Sequence, residues 1–79
     1  MRVLSYKKLF KKLIDVEMKN FELMDKANIS KNTFYKIKNN ENVTTDILVR
    51  ICNALNCDIS EIVECVEADS KGIGTENEL

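Results

Sequence analysis

From Tyr6 to Val66 the large apolar residues recur three and four positions apart, and no proline interrupts them. Both glycines, Gly72 and Gly74, lie beyond that span. This combination constrains the fold more than any other feature of the chain. Spacing near 3.6 places apolar side chains on one face of a helix, whereas a half-buried strand needs strict alternation, which is scarce here. The breaks in the pattern carry asparagine, at positions 20, 28, 39–40 and 56. The expectation is an all-α fold, a compact bundle of five helices running to about residue 68.

Ser5 is a good N-cap for the first helix, and Tyr6, Leu9, Phe10, Leu13 and Ile14 make one apolar stripe. A break falls near Met18–Asn20, with Asn20 as the cap of a short helix over about 21–27 that offers Leu23, Met24 and Ala27 to a core. Asn28 ends it, since asparagine tolerates the left-handed conformation that closes helices. Ile29 plugs the core. Ser30 caps a third helix, Lys31 to about Asn39, with Phe34 and Ile37 buried and Asn39-Asn40 closing it by the same device. Two short helices with a three- or four-residue turn between them have the spacing of a helix-turn-helix unit. Thr44 or Thr45 caps a fourth helix with Ile47, Leu48, Ile51, Cys52 and Leu55 on its apolar face, stopped by Asn56. Asp58 with Glu61 reads as a capping box for a fifth helix, carrying Ile59, Ile62, Val63 and Val66 inward. Residues 69–79, "DSKGIGTENEL", read as a mobile acidic tail, so the chain divides into one domain, 1–68, and that tail.

Composition narrows the function. The chain has 79 residues, enough for one small domain. No stretch nears the roughly 18 apolar residues of a membrane span. Lysines at 7, 8, 11 and 12 interrupt any apolar export signal, so the expected location is the cytoplasm. Three cysteines, Cys52, Cys57 and Cys65, lack CxxC spacing, and there is no histidine. They read as reduced small hydrophobes, with no metal site and no cofactor. The missing histidine also removes the commonest general base at neutral pH, and no Gly-rich loop could cradle a phosphate. An enzyme is not expected.

A net charge of −1 hides an asymmetry. Residues 1–50 carry eleven basic and six acidic side chains; residues 51–79 carry one lysine and seven acidic ones. A polyanionic partner would meet the first part. No carboxylate lies between 26 and 40. With Phe34 and Ile37 inward, a 3.6-residue period turns Lys31, Asn32, Tyr35, Lys36 and Asn39 outward. Lysine neutralises phosphate and reaches guanine O6/N7, and asparagine pairs with adenine N6/N7. Tyrosine stacks or meets the sugar–phosphate wall. The free N–H groups near Ser30–Thr33 favour an anion. Such a face suits a DNA groove. It also suits the solvated side of an ordinary helix, or a protein-interaction module such as an antitoxin-like partner-binding domain that uses acidic residues 58–78.

The stretch "FELMDKANISKNTFYKIKNNENVTTDILVRICNALNCDISEIVE", preceded by "SYKKLFKKLIDVEM", resembles the Cro/repressor-type (XRE family) helix-turn-helix regulators, in their small stand-alone branch, over about residues 5–66. Its most specific parts are "KANIS", "TFYKIKN" and "LVRICNALNCDISEIVE". The resemblance implies a lambda-repressor-like fold and a transcriptional regulator whose third helix enters the major groove of double-stranded operator DNA. It implies that Lys31, Asn32 and Lys36 read base edges and that Thr33 and Tyr35 lie at the backbone or thymine methyls. Asn20, Lys38, Asn39 and Asn42 would meet phosphates. It also implies a palindromic operator and a homodimer through the C-terminal helices, with no small-molecule ligand indicated. Three positions depart from the family pattern: Asn28 and Asn40 stand where glycine is usual, and Met24 where alanine is.

Overall fold

A computed structural model of the protein describes residues 1–68. The chain runs through strand β1 (Arg2–Ser5), helices α1 (Lys7–Asp15), α2 (Asn20–Ala27), α3 (Lys31–Lys38) and α4 (Thr45–Leu55), a 3-10 turn (Ile59–Glu61) and strand β2 (Glu64–Glu67). The expected tail, 69–79, lies outside the described residues. No helix among the described residues is long and apolar enough to cross a membrane.

All four α-helices close in the same way. An amide beyond the helix bonds a carbonyl five residues back: Met18 to Leu13, Ile29 to Met24, Glu41 to Lys36 and Cys57 to Cys52, at 2.8 to 3.1 Å. The residue before each of these amides is left-handed, with φ of 57° at Glu17, 56° at Asn28, 59° at Asn40 and 53° at Asn56. The bond satisfies a carbonyl that the helix end would leave open, and asparagine lowers the steric cost of the left-handed residue. Three of the four closures fall on the asparagines that break the sequence pattern. The fourth falls on Glu17, which carries no such signal.

The helix starts divide similarly. Ser30 Oγ accepts from the Thr33 amide at 3.1 Å, and Thr44 Oγ1 accepts from Ile47 at 3.4 Å. Asn20 does not cap α2; it is the first helical residue, after Lys19. Glu22 supplies the end bond instead, its carboxylate accepting from the Lys19 amide at 2.7 Å. Ser5 ends a strand rather than capping α1. The Tyr6 carbonyl takes the first helical bonds, and Ser5 Oγ keeps one, from the Lys7 amide.

The buried core joins every helix: Tyr6, Leu9 and Leu13 from the α1 region, Leu23 and Ala27 from α2, Ile29, Phe34 and Ile37 around α3, Leu48 and Ile51 from α4, and Ile62. Met24, at the position where the family usually has alanine, is only half-buried, so its extra length lies at the core's margin. Ile14 departs from the expected stripe and is 76% exposed. Eight residues beyond Tyr6 it stands about 80° around the helix from it, one residue before α1 ends.

The fifth helix is replaced by a 3-10 turn and a strand. The capping box is real: Asp58 N–H donates to Glu61 Oε2 at 3.0 Å, and Asp58 Oδ2 accepts from Ser60. These bonds hold both carboxyls below the usual range, Glu61 chiefly through the Asp58 amide and Asp58 chiefly through the Ser60 hydroxyl. The helical turn lasts three residues, however. Ile62 is fully buried, and the chain then extends to pair antiparallel with β1, Val66 opposite Val3 and Glu67 opposite Arg2. The N-terminal ammonium meets Glu67 at 2.6 Å. A strand partner some sixty residues away in sequence supplies backbone bonds that helix would otherwise provide, and β-branched Val63 and Val66 suit extended backbone. Ile59, expected inward, is 40% exposed, while Val63 and Val66 are half-buried.

Part of the basic character of α1 is used here. Lys8 donates to the Ser60 carbonyl at 3.0 Å, and Lys12 pairs with Glu61 at 3.1 Å. These two lysines hold the 3-10 turn against α1. The cysteines are free thiols; Cys52 and Cys57 are half-buried, and burial pushes both thiols up.

Candidate nucleic-acid interface

The α3 helix is eight residues long and fastened from below. Phe34 and Ile37 are buried at 2% and 0% exposure, and Ile29 plugs the turn before them. Phe10 of α1 meets Phe34 edge to face at 6.0 Å, a favoured aromatic geometry. With those side chains down, Lys31, Asn32, Tyr35, Lys36, Lys38 and Asn39 are all exposed. Among the described residues none of the three lysines has a carboxylate partner.

The outward set is not uniform. Thr33 is half-buried, and its Oγ1 accepts from the Ser30 hydroxyl at 3.0 Å, so part of its hydrogen-bonding capacity serves the cap. Lys38 Nζ stands 5.9 Å from the centre of the Tyr35 ring, within cation–π range, which couples those two side chains. Asn42 joins Thr33 and Lys36 in an open groove floored by Val43 and Ile47 and closed by Thr44 at the N-terminus of α4. A helix N-terminus beside a lysine and two uncharged polar groups favours an anion. Asn20 is exposed at the start of α2 and shares no hydrogen bond or ion pair with the other eight among the described residues.

Three residues that position this face carry no functional signal in the sequence. Tyr6, fully buried, donates its hydroxyl to the Glu41 carbonyl at 2.8 Å, and its amide donates to Asn40 Oδ1 at 3.2 Å. Burial raises its phenol pKa, opposed by the Val43 backbone. Both bonds tie the end of α3 to the junction of β1 and α1. They explain why Asn40 stands where glycine would satisfy the backbone: its side chain accepts an amide that glycine would leave without that partner. At the other end of α3, Arg50 of α4 donates to the Asn28 carbonyl at 2.9 Å and pairs with Asp46 at 3.0 Å. The i,i+4 spacing of Asp46 and Arg50 was legible, but the reach to Asn28 was not.

Asn40 therefore has two separable roles. Asn40→Gly keeps the left-handed backbone and removes the acceptor, and is expected to cost about 1 kcal/mol. Asn40→Ala removes the acceptor and also the short polar group that lets asparagine tolerate positive φ, and is expected to cost about 2–3 kcal/mol. Urea unfolding of the two variants checks that order; equal midpoints would mean the left-handed position tolerates any side chain.

A family model for the Cro/C1-type HTH DNA-binding domain matches residues 8–68. The crystal structure of the transcriptional regulator VanUg, Form II, aligns with a TM-score of 0.81 at 45% sequence identity, covering 85% of this chain and 89% of that one. No curated protein gives a significant match.

Proposed function

The chain belongs to the Cro/C1-type helix-turn-helix DNA-binding family, and from that premise we propose that it is a sequence-specific regulator of transcription whose α3 lies in the major groove of its operator. The observation that carries this reading is the outward surface of α3: lysines and asparagines without a carboxylate among them, on a helix pinned by Phe34 and Ile37. Lys31, Asn32 and Lys36 read base edges; Thr33 and Tyr35 sit beside them against backbone or thymine methyls. Lys38, Asn39, Asn42 and Asn20 hold phosphates and fix the register without reading sequence. The groove shared by Lys36, Asn42 and the start of α4 supports a phosphate there.

The operator is a palindrome bound by two copies, half-sites about 34 Å apart, one helical turn. The exposure of Val49 and Ile59 on α4 and the 3-10 turn supports pairing through the C-terminal elements. Binding to a protein partner instead would leave the α3 surface without a role.

Selection of bound duplexes from a random pool tests the whole reading. A two-fold motif with half-sites about 10 base pairs apart is expected. Binding of a selected duplex should fall with salt at a slope of about −0.9 per phosphate contact. A pool that shows no enrichment, with no shift of any duplex at low salt, would overturn the reading in favour of the protein-interaction module.

A further inference from the structure

We propose that Arg50 is a positioning residue for DNA recognition: it sets the orientation of α3 without touching DNA. The inference rests on the reading of α3 as the groove-inserting helix. Two fully or nearly fully buried side chains, Phe34 and Ile37, hold the underside of this short helix, with Ile29 before it. Apolar plugs resist withdrawal, but they are non-directional and fix roll and tilt poorly. Direction comes from hydrogen bonds at the two ends. At the far end Tyr6 binds Asn40 and Glu41. At the near end one hydrogen bond comes from α4 among the described residues, from Arg50 Nη1 to the Asn28 carbonyl.

The geometry suits arginine in particular. Asn28 is left-handed, with φ 56° and ψ 51°, so the turn leaves the helical path at this residue. Its carbonyl takes a charged donor from a side chain 22 positions away. The same guanidinium forms an ion pair with Asp46, one turn earlier on α4, with Nε 3.0 Å from Oδ2. A hydrogen bond and an ion pair thus fall on two different nitrogens of one rigid plane; an ammonium, a single point charge on a flexible stem, cannot make both in that geometry. Asp46 thus orients Arg50, and Arg50 orients the turn from which α3 starts. A small rotation there displaces Lys31, Asn32 and Lys36 together relative to base edges.

The test uses Arg50→Met, Arg50→Lys and Asp46→Asn in the full chain, against a selected duplex and a scrambled duplex of equal length. Arg50→Met should bind the selected duplex about tenfold more weakly, equivalent to ~1.4 kcal/mol. Its affinity for the scrambled duplex and its salt slope should match the parent's, because no phosphate contact has gone. Arg50→Lys and Asp46→Asn should lose discrimination in the same sense and to a smaller degree. Native-state exchange of the hydrogen-bonded amides of Ile29, Thr33 and Phe34 in the free protein should speed up in all three variants. Unchanged discrimination would overturn the proposal. So would a salt slope shallower by about 0.9, the mark of a direct phosphate contact. If the parent binds no duplex, the reading of α3 fails, while amide exchange still decides whether Arg50 holds the turn. Should Arg50→Met not fold, Arg50→Lys and Asp46→Asn carry the same comparison, and parental exchange in both would overturn it.

Discussion

The double substitution Lys31→Ala/Lys36→Ala is expected to weaken binding of a selected duplex by at least about 30-fold while leaving the fold intact. Each lysine that pairs with a base edge or a phosphate is worth roughly 1–3 kcal/mol, so two together remove about 2–6 kcal/mol. Both side chains are exposed and neither donates a hydrogen bond or joins an ion pair among the described residues. The thermal midpoint should therefore move little, as for ordinary surface substitutions. Equilibrium titration of the selected duplex at two salt concentrations, with a parallel melting curve, checks both halves. Parental affinity in the double variant would show that this is a solvated helix face and that DNA is met elsewhere.

Phe34→Ala should give the opposite pattern: binding lost because the domain is lost. Phe34 is 2% exposed and lies edge-on against Phe10. Truncating a buried phenylalanine costs about 3–5 kcal/mol. A domain of this size has a total stability of only about 3–10 kcal/mol. The melting midpoint should fall by about 12–40 °C, measured by far-ultraviolet circular dichroism. Phe34→Leu should retain most of the helical signal and most of the DNA affinity. A Phe34→Ala protein that melts like the parent would mean the core closes over the gap, and that α3 is held mainly by its polar ends.

These two variants concern opposite faces of one helix, and that division is legible in the sequence. The spacing of Phe34 and Ile37 fixed which side of α3 faces inward, and the exposures follow it. Ser30, Thr44, Asn28, Asn40 and Asn56 all act at the helix ends where local rules place them. The caps depend on bonds spanning five residues or fewer, so the information for each lies inside its own short segment. Glu17 is the exception: it adopts a left-handed backbone because the chain must turn there, against its own preference.

What the sequence determined by itself was the four helices, the three closures on asparagine and the polar outward surface of α3. What only the tertiary structure decided was everything made by distant partners. Arg2–Ser5 and Glu64–Glu67 are strands because each supplies the other's backbone bonds, and neither segment announces that alone. The same pairing cut the expected fifth helix to a single 3-10 turn despite a correct capping box. Lys8 and Lys12 went to that turn rather than to a nucleic-acid face. Asn40 acquired Tyr6, and Asn28 acquired Arg50. A side chain's periodicity tells which way it points; which polar group it meets depends on where the rest of the chain has been brought, and that is fixed only when the core has packed.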